Sequence, residues 1–229
     1  TQQDITGEVN QAAQLAYQAS YDPLTGLMNR TAFDDRLERS FHWCNENERL
    51  IAVLHLDLDG FKAINDGLGH KVGDQLLVAV SERLQSLTES QDTLAYFSGD
   101  GFLLLMTNIA DHDDIATAAD RILCSFEASF QVDDYDVHVT ASIGIACNDQ
   151  SVQRSNELLQ HADTAGDRAK WQGRNTWQWY RPTEKVATDD QVMLRHDLHA
   201  ALHNDEFYLD YQPIVEANTG HIRSVEALI

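Results

Sequence analysis

Residues 93–106 read TLAYFSGDGFLLLM. Two apolar runs flank Ser98-Gly99-Asp100-Gly101, and that composition is turn chemistry between strands. The stretch predicts a β-hairpin with Asp100 at its tip, a lone carboxylate with a glycine on either side. A hairpin fixes two neighbouring strands and their connection in one short segment, so it constrains the fold before any other element is placed. A bare acid on such a tip belongs to a catalytic loop, or to what is left of one.

The remaining segments predict layers around this hairpin. Residues 5–20, ITGEVNQAAQLAYQAS, are Ala- and Gln-rich without Pro and suit a helix leading into the domain; the absence of an initiator Met reads as a start in mid-chain. YDPLTGLMNR (21–30) is a turn, and Phe33, Leu37 and Phe41 then follow helical spacing. RLIAVLHLDLD (49–59) predicts a strand with Ala52, Leu54, Leu56 and Leu58 on one face and Val53, His55, Asp57 and Asp59 on the other. Residues 73–87 predict an amphipathic helix, and the acidic start of DHDDIATAADRILCSFEASF suits a helix N-terminus. Residues 135–146 alternate as one long strand. A helix follows, with Ser155 as its expected cap and Gly173 at its end, and TWQWY closes with a short strand. The order points to an α/β (α+β) layer fold, helices covering a central mixed β-sheet. Beyond Pro182 a charged linker runs into a helix, YLDYQPIV reads as a strand and ANTGHI as a hairpin turn, the start of a second domain.

Composition narrows the function. A net charge of −21 argues against general contact with nucleic acid or anionic membrane, which needs clustered Lys and Arg. An anionic ligand still fits where a few cations converge. No apolar run approaches the ~20 residues that cross a bilayer, and no signal peptide is visible. Cys44, Cys124 and Cys147 are odd in number and far apart, which suits buried, reduced structural thiols in the cytoplasm and gives no metal spacing.

Asp57 and Asp59 sit at the C-terminal end of an apolar strand, where open α/β sheets bind ligands. The turn DGFKAIND leaves backbone N–H groups near Gly60–Lys62 free at a helix start, a phosphate-binding arrangement. If this strand pairs with the hairpin, Asp57 and Asp100 come from adjacent strands and, with a triphosphate, make a Mg²⁺ site. Plain solvation of a strand end explains the two strand acids equally well. Lys170 and Arg174, four apart, suit a phosphate clamp or simple complementation of a helix C-terminus. Asn65 and Asp74 supply the amide and carboxylate that read a guanine edge; a helix cap and a first-turn acid are the plainer readings. Trp171, Trp177 and Trp179 read as packing residues.

DPLTGLMNR (22–30), LDLDGFKAINDGLGHKVGDQLL (56–77), SIGIA (142–146) and ADTAGDRAKWQGRN (162–175) together resemble, in order, the motifs of GGDEF domains, the diguanylate cyclase fold. The resemblance covers residues 21–182, preceded by a helical linker over 1–20. EFYLDYQPIVEANTGHIRSVEALI (206–229), after a linker and helix over 183–205, resembles the first strands of an EAL phosphodiesterase domain, with Glu226 in its EAL motif. A tandem GGDEF–EAL cyclic di-GMP signalling protein is implied, and the missing EAL barrel is where it would meet cyclic di-GMP.

The resemblance implies a palm-like nucleotide-cyclase sheet. It places Mg²⁺ on Asp57, the Leu58 carbonyl and Asp100, with Asp100 also catalytic. It assigns guanine to Asn65 and Asp74, with Leu24 near the base. It gives the β- and γ-phosphates to the backbone around Phe61 and Lys62 and to Lys170 and Arg174. Active members join two GTP molecules across a two-fold dimer. Here the Gly-Gly-Asp/Glu-Glu-Phe signature reads SGDGF: Ser98 replaces a glycine, and Gly101 replaces the glutamate that helps hold metal. The upstream Arg-x-x-Asp of the product-inhibition site reads ESQD, with Glu89 for the arginine, so no product inhibition is expected there. The expectation is therefore a GTP-binding, catalytically impaired domain that regulates its EAL neighbour. An active cyclase tolerating Gly101, with Asp59 or water completing the metal shell, is one alternative. A dimerisation module from which Ser98 excludes nucleotide is the other.

Overall fold

The structure, a computed structural model, describes residues 19–148, 152–182, 210–216, 218 and 221–228. The expected N-terminal helix up to residue 18 and the linker and helix over 183–205 lie outside the described residues. The chain divides into two compact units, residues 1–181 and 182–229.

In the first unit the elements are α1 (Arg30–Glu46), β1 (Leu50–Leu58), α2 (Phe61–Leu68), α3 (His70–Leu87), β2 (Thr93–Ser98), β3 (Gly101–Ile109), α4 (His112–Ser125), β4 (Phe130–Val132), β5 (Tyr135–Val137), β6 (Ala141–Cys147), α5 (Ser155–Trp171) and β7 (Thr176–Trp179). The main sheet has the order β2-β3-β1-β6-β7. Only β6 and β7 run parallel; the other neighbours are antiparallel. The predicted hairpin is thus β2–β3, and the predicted mixed sheet is present.

The alternation in β1 sorts its residues as expected. Ala52, Leu54, Leu56 and Leu58 join Leu76, Val80 and Leu84 of α3 and Ile115, Ala119 and Ile122 of α4 in one core. Ile51 and Val53 join Phe33, Leu37 and Phe41 of α1 and Leu158 and Ala162 of α5 in the other. Each such buried side chain contributes about 2 kcal/mol of transfer free energy, so the central strand is anchored from both faces. α4 starts at a capping box in which Asp111 and Asp114 serve each other's backbone, which accounts for the acidic run.

Four expectations change. Residues 61–68 form a separate helix before α3, because Gly69, at φ +91°, breaks the chain between them. The long strand predicted over 135–146 is two: β5 folds back on β4, and β6 enters the main sheet only from Ala141. Alternation carries through the break, so periodicity alone did not reveal it. Ser155 is the first helical residue rather than the cap; the Glu157 carboxylate accepts from Gln153 N at 2.8 Å and closes the start of α5. Of the cysteines only Cys44 is buried, while Cys124 is exposed and Cys147 half-buried.

The second unit contains β8 (Asp210–Val215) and β9 (Ile222–Leu228), paired antiparallel, as the strand and hairpin-turn signals predicted. Tyr211, Ile214, Val215, Ile222 and Val225 are exposed on it.

Candidate functional site

The site forms where β1 ends beside the tip of the hairpin. In the β1–β3 ladder Asp57 stands directly opposite Gly101, and the Leu58 amide donates to the Asp100 carbonyl at 3.1 Å. Tyr96 Oη braces the tip by donating to the Gly99 carbonyl at 2.9 Å. On the other side of β1, His55 faces Gly144 and Asp57 faces Ser142. Gly144 decides how close α5 can come: a Cβ there would lie 1.9 Å from the Ala162 carbonyl and 2.1 Å from the Gly166 amide. Only a bare Cα admits the helix backbone, and that contact sets α5 against the acids of β1.

α5 then delivers Lys170, whose Nζ lies 2.8 Å from Asp57 Oδ2 and 3.9 Å from Asp167. Burial alone would lower the Lys170 ammonium, but the bond to Asp57 and the charges of Asp57, Asp167 and Asp100 raise it overall, so it stays charged. Burial first, then the Asp57 charge, pushes the Asp100 carboxyl above its ordinary range, and burial does the same to Asp167. Asp57, Asp100 and Lys170 are therefore brought together as predicted.

Asp59 is not part of this group. Its carboxylate accepts from Thr140 Oγ1 and Ser142 Oγ, both at 2.7 Å, and from the Asn175 amide at 3.1 Å. With its lone pairs so engaged, it is a clasp between β1, β6 and the α5–β7 turn, and no spare acid for a metal shell. Arg174, at φ +66° in that turn, lies 3.9 Å from Asp59 and thus pairs with a different acid from Lys170.

The base-reading candidates come from α2 and α3. Asn65 Oδ1 is buried with no hydrogen-bond partner. It rests against Gly73, where a Cβ would fall 1.9 Å from it. Asp74 follows, exposed on the first turns of α3. Leu24 is exposed on a turn whose Asp22 carboxylate accepts from the amides of Leu24 and Thr25. Gly60, at φ +75°, starts α2 with no side-chain cap, so the first amides of that helix, at buried Phe61 and exposed Lys62, have no intrahelical acceptor. The Tyr96 hydroxyl is raised first by burial and then by Asp22, Asp100 and Asp74, which sets those three acids around one side chain.

His55 went without a role in the sequence, although its place on the acid face of β1 was legible. Its ring is buried against Phe97, and Nδ1 lies 3.1 Å from Asp163 Oδ1, within ion-pair reach but off the line of a hydrogen bond. That contact holds Asp163 below the ordinary carboxylate range. Among the described residues no three His, Cys, Asp or Glu side chains converge as a ready metal set. The groove over Glu89 and Asp92 has Arg121 on its wall, with Nη2 donating to the Leu87 carbonyl at 2.8 Å.

A family model for the diguanylate cyclase GGDEF domain matches residues 19–176. The chain belongs to the GGDEF family. Its GGDEF domain is 40% identical over 211 residues to the bifunctional diguanylate cyclase/cyclic di-GMP phosphodiesterase MucR of Pseudomonas aeruginosa, covering 92% of this chain and 31% of the relative. It is 35% identical over 226 residues to the cyclic di-GMP phosphodiesterase PdeR of Escherichia coli, covering 99% of this chain and 34% of the relative. The chain thus spans about a third of these relatives' length. Among solved structures it resembles the GGDEF domain of TpbB (YfiN) from Pseudomonas aeruginosa, at 34% identity and TM-score 0.69, over 76% of this chain and 99% of that one. It also resembles the coiled coil and GGDEF domain of DgcB from Caulobacter crescentus, solved with cyclic di-GMP, at 28% identity and TM-score 0.70, over 77% and 95%. This GGDEF domain therefore belongs to the proteins of cyclic di-GMP signalling, whose relatives include cyclases and phosphodiesterases. No described helix is long and apolar enough to cross a membrane.

Proposed function

We propose that this is a GTP-binding GGDEF domain with weakened cyclase chemistry that regulates an EAL domain in a cytoplasmic tandem protein. The domain occupies residues 21–182, and 206–229 begin the EAL domain. The observation that carries the reading is the register Asp57↔Gly101. Where a second acid would face Asp57 across the ladder there is no side chain, while the binding groups around it remain.

The donor set still fits Mg²⁺ delivered with GTP, because that ion is commonly held by one or two carboxylates, with phosphates and water completing the shell. Asp57, Asp100 and the Leu58 carbonyl would hold it, and it would supply charge neutralisation at the triphosphate. Lys170, charged and now on Asp57, turns to the phosphates, with Arg174 and the first amides of α2 beside it. Asn65 Oδ1, buried and unpaired, accepts from a purine N–H, and the Asp74 carboxylate takes the neighbouring donors of guanine. The missing acid removes charge stabilisation worth several kcal/mol in order of magnitude from phosphoryl transfer. Bound GTP then acts on the EAL domain by favouring one arrangement of the connection between the domains, in a homodimer of the family type.

Calorimetry with GTP and Mg²⁺, followed by product analysis of the same sample, tests this. The expected result is saturable binding with little cyclic di-GMP. Absence of heat at millimolar GTP, or brisk turnover, overturns it. Gly73→Ala sharpens the test by driving a methyl group into Asn65 Oδ1. It is expected to cut discrimination of GTP over ATP about tenfold, roughly 1.4 kcal/mol, with the fold intact.

A further inference from the structure

His55 is 94% buried in a sheet otherwise lined by aliphatic residues, and its Nε2 has no hydrogen-bond partner. That nitrogen faces the place Gly101 leaves bare: a Cβ built on residue 101 would lie 3.5 Å from it. On the other side of the ring, Nδ1 lies 4.0 Å from Asp57 Oδ2 and 3.1 Å from Asp163 Oδ1. An imidazole oriented by a carboxylate on one nitrogen, with the other nitrogen free and a second carboxylate beside it, is the arrangement that metal-ligating histidines adopt. Phe97 packs edge-on against the ring and limits its rotation, with the Arg30 guanidinium 4.3 Å above the centre of the Phe97 ring.

We propose that His55 supplies through Nε2 the metal ligand that Gly101 cannot, so that the nucleotide-bound site prefers Mn²⁺ over Mg²⁺. The inference rests on the reading of the site as one for a metal–GTP complex. As the side chains stand, Lys170 occupies Asp57. Once the triphosphate draws Lys170 away, a cation on Asp57 and Asp100 lies against the His55 edge of the cleft. Mg²⁺ demands oxygen ligands and keeps its waters, whereas Mn²⁺ accepts imidazole nitrogen as well. A nitrogen in place of a carboxylate oxygen therefore changes which ion is held, and leaves one negative charge fewer on the triphosphate side.

The test is electron spin-echo spectroscopy of Mn²⁺ bound with a non-hydrolysable GTP analogue, alongside Mn²⁺ and Mg²⁺ titrations of the same complex. The expected result is a nitrogen coupling that changes isotope pattern in ¹⁵N-histidine protein. The coupling disappears in His55→Phe, and the Mn²⁺-over-Mg²⁺ preference falls roughly tenfold there. Metal–nucleotide binding without histidine coupling overturns this inference and leaves the proposed function standing. A coupling that persists in a folded His55→Phe protein also overturns it, since another histidine is then the ligand. Failure of any metal–nucleotide complex to form overturns both readings.

Discussion

Asp57 and Asp59 stand two residues apart at the end of one strand, and the fold uses them in opposite ways. Asp59 accepts three short hydrogen bonds from Thr140, Ser142 and Asn175, so its lone pairs are engaged by the fold itself. Asp57 has a single mobile partner, Lys170, at 2.8 Å, and faces a glycine across the ladder. One carboxylate is part of the architecture and the other is held in reserve by a cation that a triphosphate can draw off. A pair of acids with identical chemistry and near-identical burial is thus divided by what surrounds each. Hydroxyls and an amide fix a carboxylate; a lone ammonium leaves it exchangeable.

The largest expected effect strikes both acids at once. Gly144→Ala puts a methyl group into the backbone of α5, at the Ala162 carbonyl and the Gly166 amide. Backbone cannot swing aside as a side chain can. The expected loss of stability is about 3 kcal/mol, the upper end for overpacking, read by urea denaturation and a fall in soluble yield. If Gly144→Ala is tolerated, α5 is not fixed by this approach, and the delivery of Lys170 to Asp57 needs another cause.

Separating the two acids comes next. Asp59→Ala strands two hydroxyls and an amide and is expected to cost about 2 kcal/mol in urea denaturation, because bonds to a charged acceptor are worth about 1.5–3 kcal/mol each and are not additive. Asp57→Ala is expected to cost about 0–1 kcal/mol. Its partner is partly exposed and has Asp167 nearby, and Asp100 loses a neighbour of like charge. Metal-dependent nucleotide binding, by contrast, should vanish in Asp57→Ala. Equal losses of stability in the two variants would erase the distinction between clasp and reserve.

Much of this was legible from residue order. Alternation in 49–59 gave both faces of β1, and the turn chemistry of 98–101 gave the hairpin, because local pattern determines both. The pairing of Asp57 with Gly101 was legible as adjacency and not as register, which depends on how the whole ladder aligns. The role of Asp59 was hidden because its partners lie more than eighty residues away in β6 and beyond α5. His55 was placed on the acid face yet read as inert, since only the packing of Phe97, Asp163 and Gly101 around it gives the ring a direction. The break at residues 138–140 was invisible because the alternation of β5 continues in phase into β6.

The smallest expected effect is in pH dependence, and it separates the acids around Lys170. Burial raises Asp100 and Asp167, so folding favours their protonated forms. Their contribution is present at low pH and is lost as pH rises through the folded-state value. Asp163 is lowered by His55, so its contribution is present above the ordinary carboxylate value and is lost as pH falls through the lower folded one. Without nucleotide or divalent metal, Asp100→Asn and Asp167→Asn should therefore raise Tm slightly at pH 7, with the gain shrinking below pH ~4. Asp163→Asn should lower Tm at pH 7, with the deficit closing only at more acidic pH. Thermal melts across pH 3–8 read all three. If Asp100→Asn lowers Tm at neutral pH, that carboxylate is already fixed by the fold in the manner of Asp59, and the reserve at the end of β1 consists of Asp57 alone.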